Sequence, residues 1–409
     1  MRLTIAAGFA IGKHIILIGD ILISGPEPSN GSYQIYNIFK NVKDGAISLS
    51  KTRDTLKFMP PPATTNEILT RKFSSSSQLT IIKLKQKICL LNDRVAIAWS
   101  GSYIGALTVI NELMEQASLK PLTLAFLLSY FDKLDKTIGQ LEVSFIIAIF
   151  APTTNKSYLI PYKATTYESE IFGKVFIIGI GKTEFLSLFK KAEPKLNKEI
   201  LKGGVGILNI ATAITSPLLS LDFMGRGLTS YFGGGYEIAY LADGKIQKAD
   251  NVHYIYWHTQ YMSNGNISLP IPFQIHSYKY LHDLLSIRTI RADRIEDRDG
   301  KMKFVHSRPF TIIPPINRNV NFKEVQRLLT TDFPSILDIF GPHYLSGFFA
   351  NLIFLSKDDQ IYYIHFSSND SPIHFKPISA APDDSSSSFI LSTDKSFINK
   401  YRNFMTKFQ

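Results

Sequence analysis

The chain has 409 residues, 45% of them hydrophobic and 19% charged, so burial can offset the entropy of ordering, and disorder along the whole length is excluded. That length suits one large domain plus a second. A net charge of +11 favours an acidic partner in principle, while the single cysteine excludes an internal disulfide and fits a reducing, cytoplasmic location.

Leu3 to Gly12 and Ile15 to Ser24 are apolar runs that, behind Met1-Arg2, mimic a signal peptide. Lys13 and His14 interrupt them, Asp20 lies inside the second run, and no Ala-x-Ala site follows. Two strands turning at Gly12-Lys13 are predicted, with no membrane span. Residues 26–78 contain Pro60-Pro61-Pro62 and the run Ser74 to Ser77, which predicts a mobile surface insertion.

Strand signals resume at Thr80 to Leu84, Lys87 to Leu91 and Arg94 to Trp99, with Asn92-Asp93 as a turn. Cys89 lies among Ile88, Leu90 and Leu91, the setting of a small buried hydrophobe rather than a reactive thiol. Helices are predicted over 102–117, with Ile104, Leu107, Ile110, Leu113 and Met114 inward, and over 122–136, started by Pro121. Strands follow at Val143 to Phe150, Ser157 to Tyr162 and Lys174 to Gly179. Helices come next near 183–191 and 207–219, the latter broken at Pro217. A hairpin from Tyr236 to Lys248 turns at Asp243-Gly244.

This order predicts an α+β fold in which two antiparallel sheets carry helices on both outer faces, a four-layer αββα sandwich over residues 1–250. Residues 251–409 differ in texture, being rich in Tyr, Phe and His, and are expected to form a smaller α+β domain or extension. It has proline-marked turns at Pro270-Ile271-Pro272 and Pro314-Pro315, a helix at 322–329, and strands at 303–305, 310–313, 352–355 and 361–366. A loop at Ser385 to Ser388 is expected before a short terminal helix. Arg288, Arg291, Arg294 and Arg298 interleave with Asp293, Glu296, Asp297 and Asp299, the pattern of a mixed-sign face or hairpin, so nucleic acid is not an expected partner. The spacing of His253 and His258 fits no zinc motif, and Gly203-Gly204-Val205-Gly206 lacks the Lys-Ser/Thr of a phosphate loop. No metal or cofactor is expected.

Thr4, Gly8 and Asp20, then Lys87 followed fourteen residues later by Gly101, then Gly179-Ile180-Gly181 and Gly233-Gly234-Gly235, occur in an order and spacing that resembles the proteasome β-subunits. The resemblance, to the N-terminal-nucleophile hydrolase fold, spans about residues 1–250 apart from the insertion. It implies Thr4 as nucleophile, its freed α-amine as general base, Lys87 as electrostatic tuner, Asp20 as the orienter of Lys87, and the backbone near Gly101 as oxyanion donor. Three departures accompany it. Leu3 stands where the family has glycine before the threonine, and Thr4 is not terminal as encoded. Ile180 replaces a serine. The Asp-x-x-Ser ahead of the glycines is missing, with Thr229, Ser230 and Phe232 in its neighbourhood and Asp222 too far upstream.

The expected function is therefore that of a degenerate, non-catalytic subunit acting in assembly, as in a homo-oligomeric ring, or in binding a protein or peptide. The alternative is a threonine hydrolase of peptide or amide bonds, activated by autocatalytic removal of Met1–Leu3.

Overall fold

A computed structural model of the chain describes residues 4–26, 79–138, 142–201, 206–223, 233–261, 267–281, 283–296, 301–306, 310–312, 347–357, 360–377 and 389–406. The first two strands, β1 (Ile5–Ile11) and β2 (His14–Asp20), are apolar and largely buried. Between them Gly12 takes φ +57, the left-handed conformation that a two-residue hairpin turn demands. After β3 (Leu22–Pro26) and β4 (Leu79–Leu84), which pair with each other, come β5 (Ile88–Leu90) and β6 (Val95–Gly101). Helices α1 (Tyr103–Leu119) and α2 (Leu124–Ile138) follow, then β7 (Val143–Ala151), β8 (Lys156–Tyr162), β9 (Thr165–Ser169) and β10 (Gly173–Gly179). Helices α3 (Lys182–Leu201) and α4 (Ile207–Phe223) precede the hairpin of β11 (Tyr236–Ala242) and β12 (Lys245–Lys248).

Apart from the β3–β4 pair, these strands make two antiparallel sheets, one in the order β12-β11-β2-β1-β10-β9 and one in the order β5-β6-β7-β8. Side chains alternate across a strand, so each sheet has two faces to cover. Ala6, Leu17, Ala239 and Leu241 of the larger sheet join Ile88, Ala98, Ile146 and Ala148 of the smaller in one core. The opposite face of the smaller sheet supplies Ile97, Trp99, Phe145 and Ile147, which pack with Val109, Ile110 and Leu113 of α1 and with Leu127, Phe131 and Leu134 of α2. Helix α3 contacts β1 and β10, and α4 contacts β2 and β11. Strand β7, which faces helices on one side and a sheet on the other, is buried throughout Phe145–Phe150, as a strand covered on both faces must be.

Several elements depart from the sequence expectation. The buried stripe of α1 runs through Ala106, Val109, Ile110 and Leu113, whereas Ile104 is 63% exposed. Ser102 caps the helix by accepting the Gly105 N–H, and of the residues expected inward Ile110 and Leu113 are buried while Leu107 is only partly so, with Ala106 and Val109 completing the stripe. Thr123, not Pro121, opens α2, its hydroxyl accepting the Phe126 N–H at 3.2 Å. Pro217 does not break α4; burial of Ile214, Leu218 and Leu219 around it outweighs the roughly 3 kcal/mol that an interior proline costs. Strand β9, Thr-Thr-Tyr-Glu-Ser, escapes the apolar criterion because it is a polar edge strand.

Contacts divide the chain into two compact units, the first including Pro62–Ala249 and the second Asp250–Thr311 and Asn319–Gln409. The second unit is built on a sheet of β13 (Val252–Gln260), β14 (Ile271–Leu281), β15 (Leu284–Glu296), β16 (Lys301–His306), β18 (Phe348–Lys357) and β19 (Gln360–Ser368), with β17 (Phe310–Ile312) paired to β15. Its order is β16-β15-β14-β13-β18-β19, and only β13 and β18 run parallel among the described pairs. A second pair, β20 (Ile373–Pro377) with β21 (Phe389–Thr393), leads into α5 (Lys395–Met405). Phe397 of α5 stacks on Trp257 with centroids 4.6 Å apart, and the Tyr401 and Thr259 hydroxyls lie 2.8 Å apart. Arg288, Arg291 and Arg294 all lie on β15, opposite Ser277 and Gln274 of β14 and Lys303 of β16.

Pro270-Ile271-Pro272 is not simply a turn. Pro272 lies inside β14 opposite Trp257, beside a bulge in which β14 carries one extra residue, Phe273, between the pairings of Gln274 with Tyr256 and of Pro272 with Trp257, an irregular point of the ladder where a proline is tolerated. The insertion at 27–78, Pro314-Pro315, the helix expected at 322–329 and the loop at Ser385 to Ser388 lie outside the described residues. Among the described residues no helix is long and apolar enough to cross a membrane, and no cluster of His, Cys, Asp and Glu has metal-binding geometry.

Candidate active site

Thr4, Asp20 and Lys87 are brought together. Thr4 immediately precedes β1, and Asp20 ends the neighbouring strand β2, so the hairpin delivers both to the same end of the sheet. The Thr4 hydroxyl donates to Asp20 Oδ1 at 2.5 Å. The other oxygen of Asp20 accepts the Gly233 N–H at 3.1 Å, and the Ile5 amide donates to the same carboxyl group. Both Thr4 and Asp20 are buried. Burial pushes the Asp20 carboxyl up to about 7; the charge of Lys87 and the hydrogen bonds from Thr4, Gly233 and Ile5 pull the other way and are outweighed. A carboxyl poised near neutrality and holding the hydroxyl of a threonine is suited to exchanging a proton with it.

Lys87 is only 2% exposed. It acts electrostatically on Asp20, and its Nζ sits 4.1 Å from the centroid of the Trp99 ring. Its backbone is held too. Trp99 N–H donates to the Lys87 carbonyl at 3.1 Å, while the Lys87 and Ile88 amides donate to Glu237 Oε2 at 2.5 and 3.2 Å. The neighbouring strand leaves room because Gly19 has no side chain: a Cβ there would lie 3.0 Å from that of Lys87.

Gly101 ends β6, the strand that carries Trp99, and adopts φ +92 opposite Val143. An added Cβ there would lie 2.2 Å from the Glu142 carbonyl oxygen. The Gly179-Ile180-Gly181 segment, in contrast, wraps the Thr4 carbonyl. Gly181 N–H points to that oxygen at 3.5 Å, and a Cβ on Gly179, at φ +97, would lie 1.9 Å from it. Only glycine fits there. Ile180, between the two glycines, is 37% exposed and offers no hydrogen-bonding group. Thr229, Ser230, Phe232 and the side chain of Asp222 lie outside the described residues.

Sequence reasoning missed a second charged pair in the same cluster. Glu237 on β11 and Lys248 at the end of β12 form an ion pair at 2.7 Å, and Lys248 also donates to the Gln86 side-chain oxygen. Gln86 in turn accepts the indole N–H of Trp99 through its backbone carbonyl at 3.2 Å. Glu237 left a signal: it alternates with Ala239 and Leu241, which face the core between the sheets, so a carboxylate stands in an inward register. Cys89 is buried, and His253 is buried with its Nδ1 2.9 Å from the Ser277 hydroxyl.

No protein-family model matches the chain, and no curated protein matches it.

Proposed function

We propose that the first unit is a four-layer αββα sandwich of the N-terminal-nucleophile type, carrying a latent threonine hydrolase centre that is completed when the Leu3–Thr4 bond is cut. Support for the layering comes from the shared core between two antiparallel sheets and from α1 with α2, and α3 with α4, packing on different sheets. The observation that carries the hydrolase reading is the buried hydrogen bond from the Thr4 hydroxyl to Asp20, a carboxyl that also feels the Lys87 charge.

In the self-cleavage step Thr4 Oγ attacks the Leu3 carbonyl carbon and its proton passes to Asp20. The Leu3–Thr4 C–N bond then breaks as the threonine nitrogen takes up a proton, leaving the Leu3 acyl group as an ester on Thr4 Oγ. Water hydrolyses that ester, releasing the Leu3 carboxylate and restoring the hydroxyl. The freed α-amine, with an ordinary pKa of about 7.7–8.0, is then the base for attack on a peptide or amide substrate. Lys87 stabilises negative charge on the oxygen.

A second reading, a non-catalytic subunit that acts in assembly or binds a protein or peptide, is favoured by one specific observation: Thr4 is 1% exposed. A β-lactone probe, which acylates nucleophilic hydroxyls, separates the two. The hydrolase reading expects an adduct on a peptide that begins at Thr4, absent from Thr4→Ala. A protein that keeps Leu3 and gains no adduct on Thr4 is an assembly or binding protein.

A further inference from the structure

We infer that Glu237, neutralised by Lys248, is a positioning residue for the candidate centre: by accepting the Lys87 and Ile88 amides it fixes the backbone from which Lys87 reaches Asp20. The inference deepens the hydrolase reading in its kinetic consequence, whereas its geometric content stands on the cluster itself. A carboxylate buried between sheets is costly unless each of its oxygens is satisfied. Here one oxygen is matched to Lys248 and the other takes both amides. The amides belong to the start of β5, whose Cys89 and Leu90 pair conventionally with Ile97 and Ala96 of β6. Glu237 comes from the other sheet, on β11, opposite Gly19 of β2 and one residue away from the pairing of Tyr236 with Asp20. One side chain therefore ties the strand that carries Lys87 to the strands that carry and flank Asp20. Among the described residues the ionisable groups of the cluster are Asp20, Lys87, Glu237 and Lys248, so an unpaired charge anywhere in it disturbs the others.

An ion pair that served folding alone would not govern how Lys87 acts on Asp20, and that difference is measurable. The protein is labelled with carboxyl-13C aspartate, the Asp20 resonance is assigned by its loss in Asp20→Asn, and its titration is followed in two double variants. Glu237→Gln with Lys248→Met removes both charges and retains an oxygen for the two amides. Glu237→Met with Lys248→Met removes the charges and the acceptor together. The expected result is that the first variant keeps the wild-type midpoint, while in the second the midpoint rises by about one pH unit, tenfold in the equilibrium, as Lys87 withdraws. Leu3–Thr4 cleavage should likewise slow about tenfold in the second variant alone. If the methionine pair does not fold, Glu237→Ser with Lys248→Met, whose hydroxyl is too short to reach the amides, carries the same expectation. An unchanged Asp20 midpoint in a folded variant that lacks the acceptor overturns the inference. Absence of cleavage in the wild type overturns the hydrolase reading and leaves the Asp20 titration to decide the role of Glu237.

Discussion

Asp20 is the residue on which the energetics of the candidate site turn. Its carboxyl is raised from 3.8 to about 7, chiefly by burial. Between those values the unfolded chain releases its proton while the native state retains it, so the stability of the first unit falls as pH rises across that window and levels off above it. The cost at pH 7 is on the order of 2–4 kcal/mol. Denaturant unfolding of the first unit at pH 4.5 and pH 7.5 should show this slope in the wild type, and Asp20→Asn should flatten it. A second prediction concerns Gly179. Replacing it with alanine forces a Cβ into the Thr4 carbonyl from a left-handed backbone, and a loss of about 1–3 kcal/mol is expected. Because the clash falls on Thr4 itself, Leu3–Thr4 cleavage should suffer beyond what the stability loss explains, whereas Gly173→Ala, where nothing lies within 4 Å, should leave cleavage intact.

At the scale of elements, what the sequence reveals depends on how local the determinant is. The β1–β2 hairpin, its turn at Gly12, and the β11–β12 hairpin turning at Asp243-Gly244 are legible because apolar runs and turn residues act within a few positions. Thr4, Asp20 and Lys87 are nameable by resemblance, yet their meeting depends on strand pairing that no local pattern encodes. The inward face of α1 is chosen by the sheet it packs on, so Ala106 and Val109 are buried while Ile104 is exposed, which apolar spacing within the helix does not encode. The role of Glu237 is not legible because the Lys87 and Ile88 amides it accepts lie about 150 residues away in sequence. The long strands β13, β14 and β15 escaped for a different reason. Their tyrosines, histidines and arginines obscure the apolar alternation, and the bulge at Tyr256/Trp257 shifts the register midway.

That sheet carries its own titration. Burial pushes His276 and His365 down to about 4, and lowers His258 as well. For a depressed histidine the stabilising contribution is complete above its unfolded value of 6.5 and is lost as pH falls toward the folded one. Lowering pH from 7.5 to 5 should therefore cost the second unit about 2 kcal/mol for each of these two histidines. Hydrogen exchange of peptides from β14 and β19 should report the loss, and His365→Phe should reduce it.

Over the whole molecule these effects have opposite signs. Acidification within this range relieves buried Asp20 in the first unit and burdens His276 and His365 in the second. Peptides from β1 and β2 should thus gain protection on mild acidification while those from β14 and β19 lose it, and a uniform response across the chain would contradict this division.

Whether Thr4 is a nucleophile awaiting release is decided by the intact mass and N-terminal sequence of the wild-type protein beside Thr4→Ala. The wild-type chain should begin at Thr4, and the variant should retain the residues ahead of it. Leu3 still attached to Thr4 in the mature wild-type protein would leave no free amine to act as base, and would contradict the hydrolase reading.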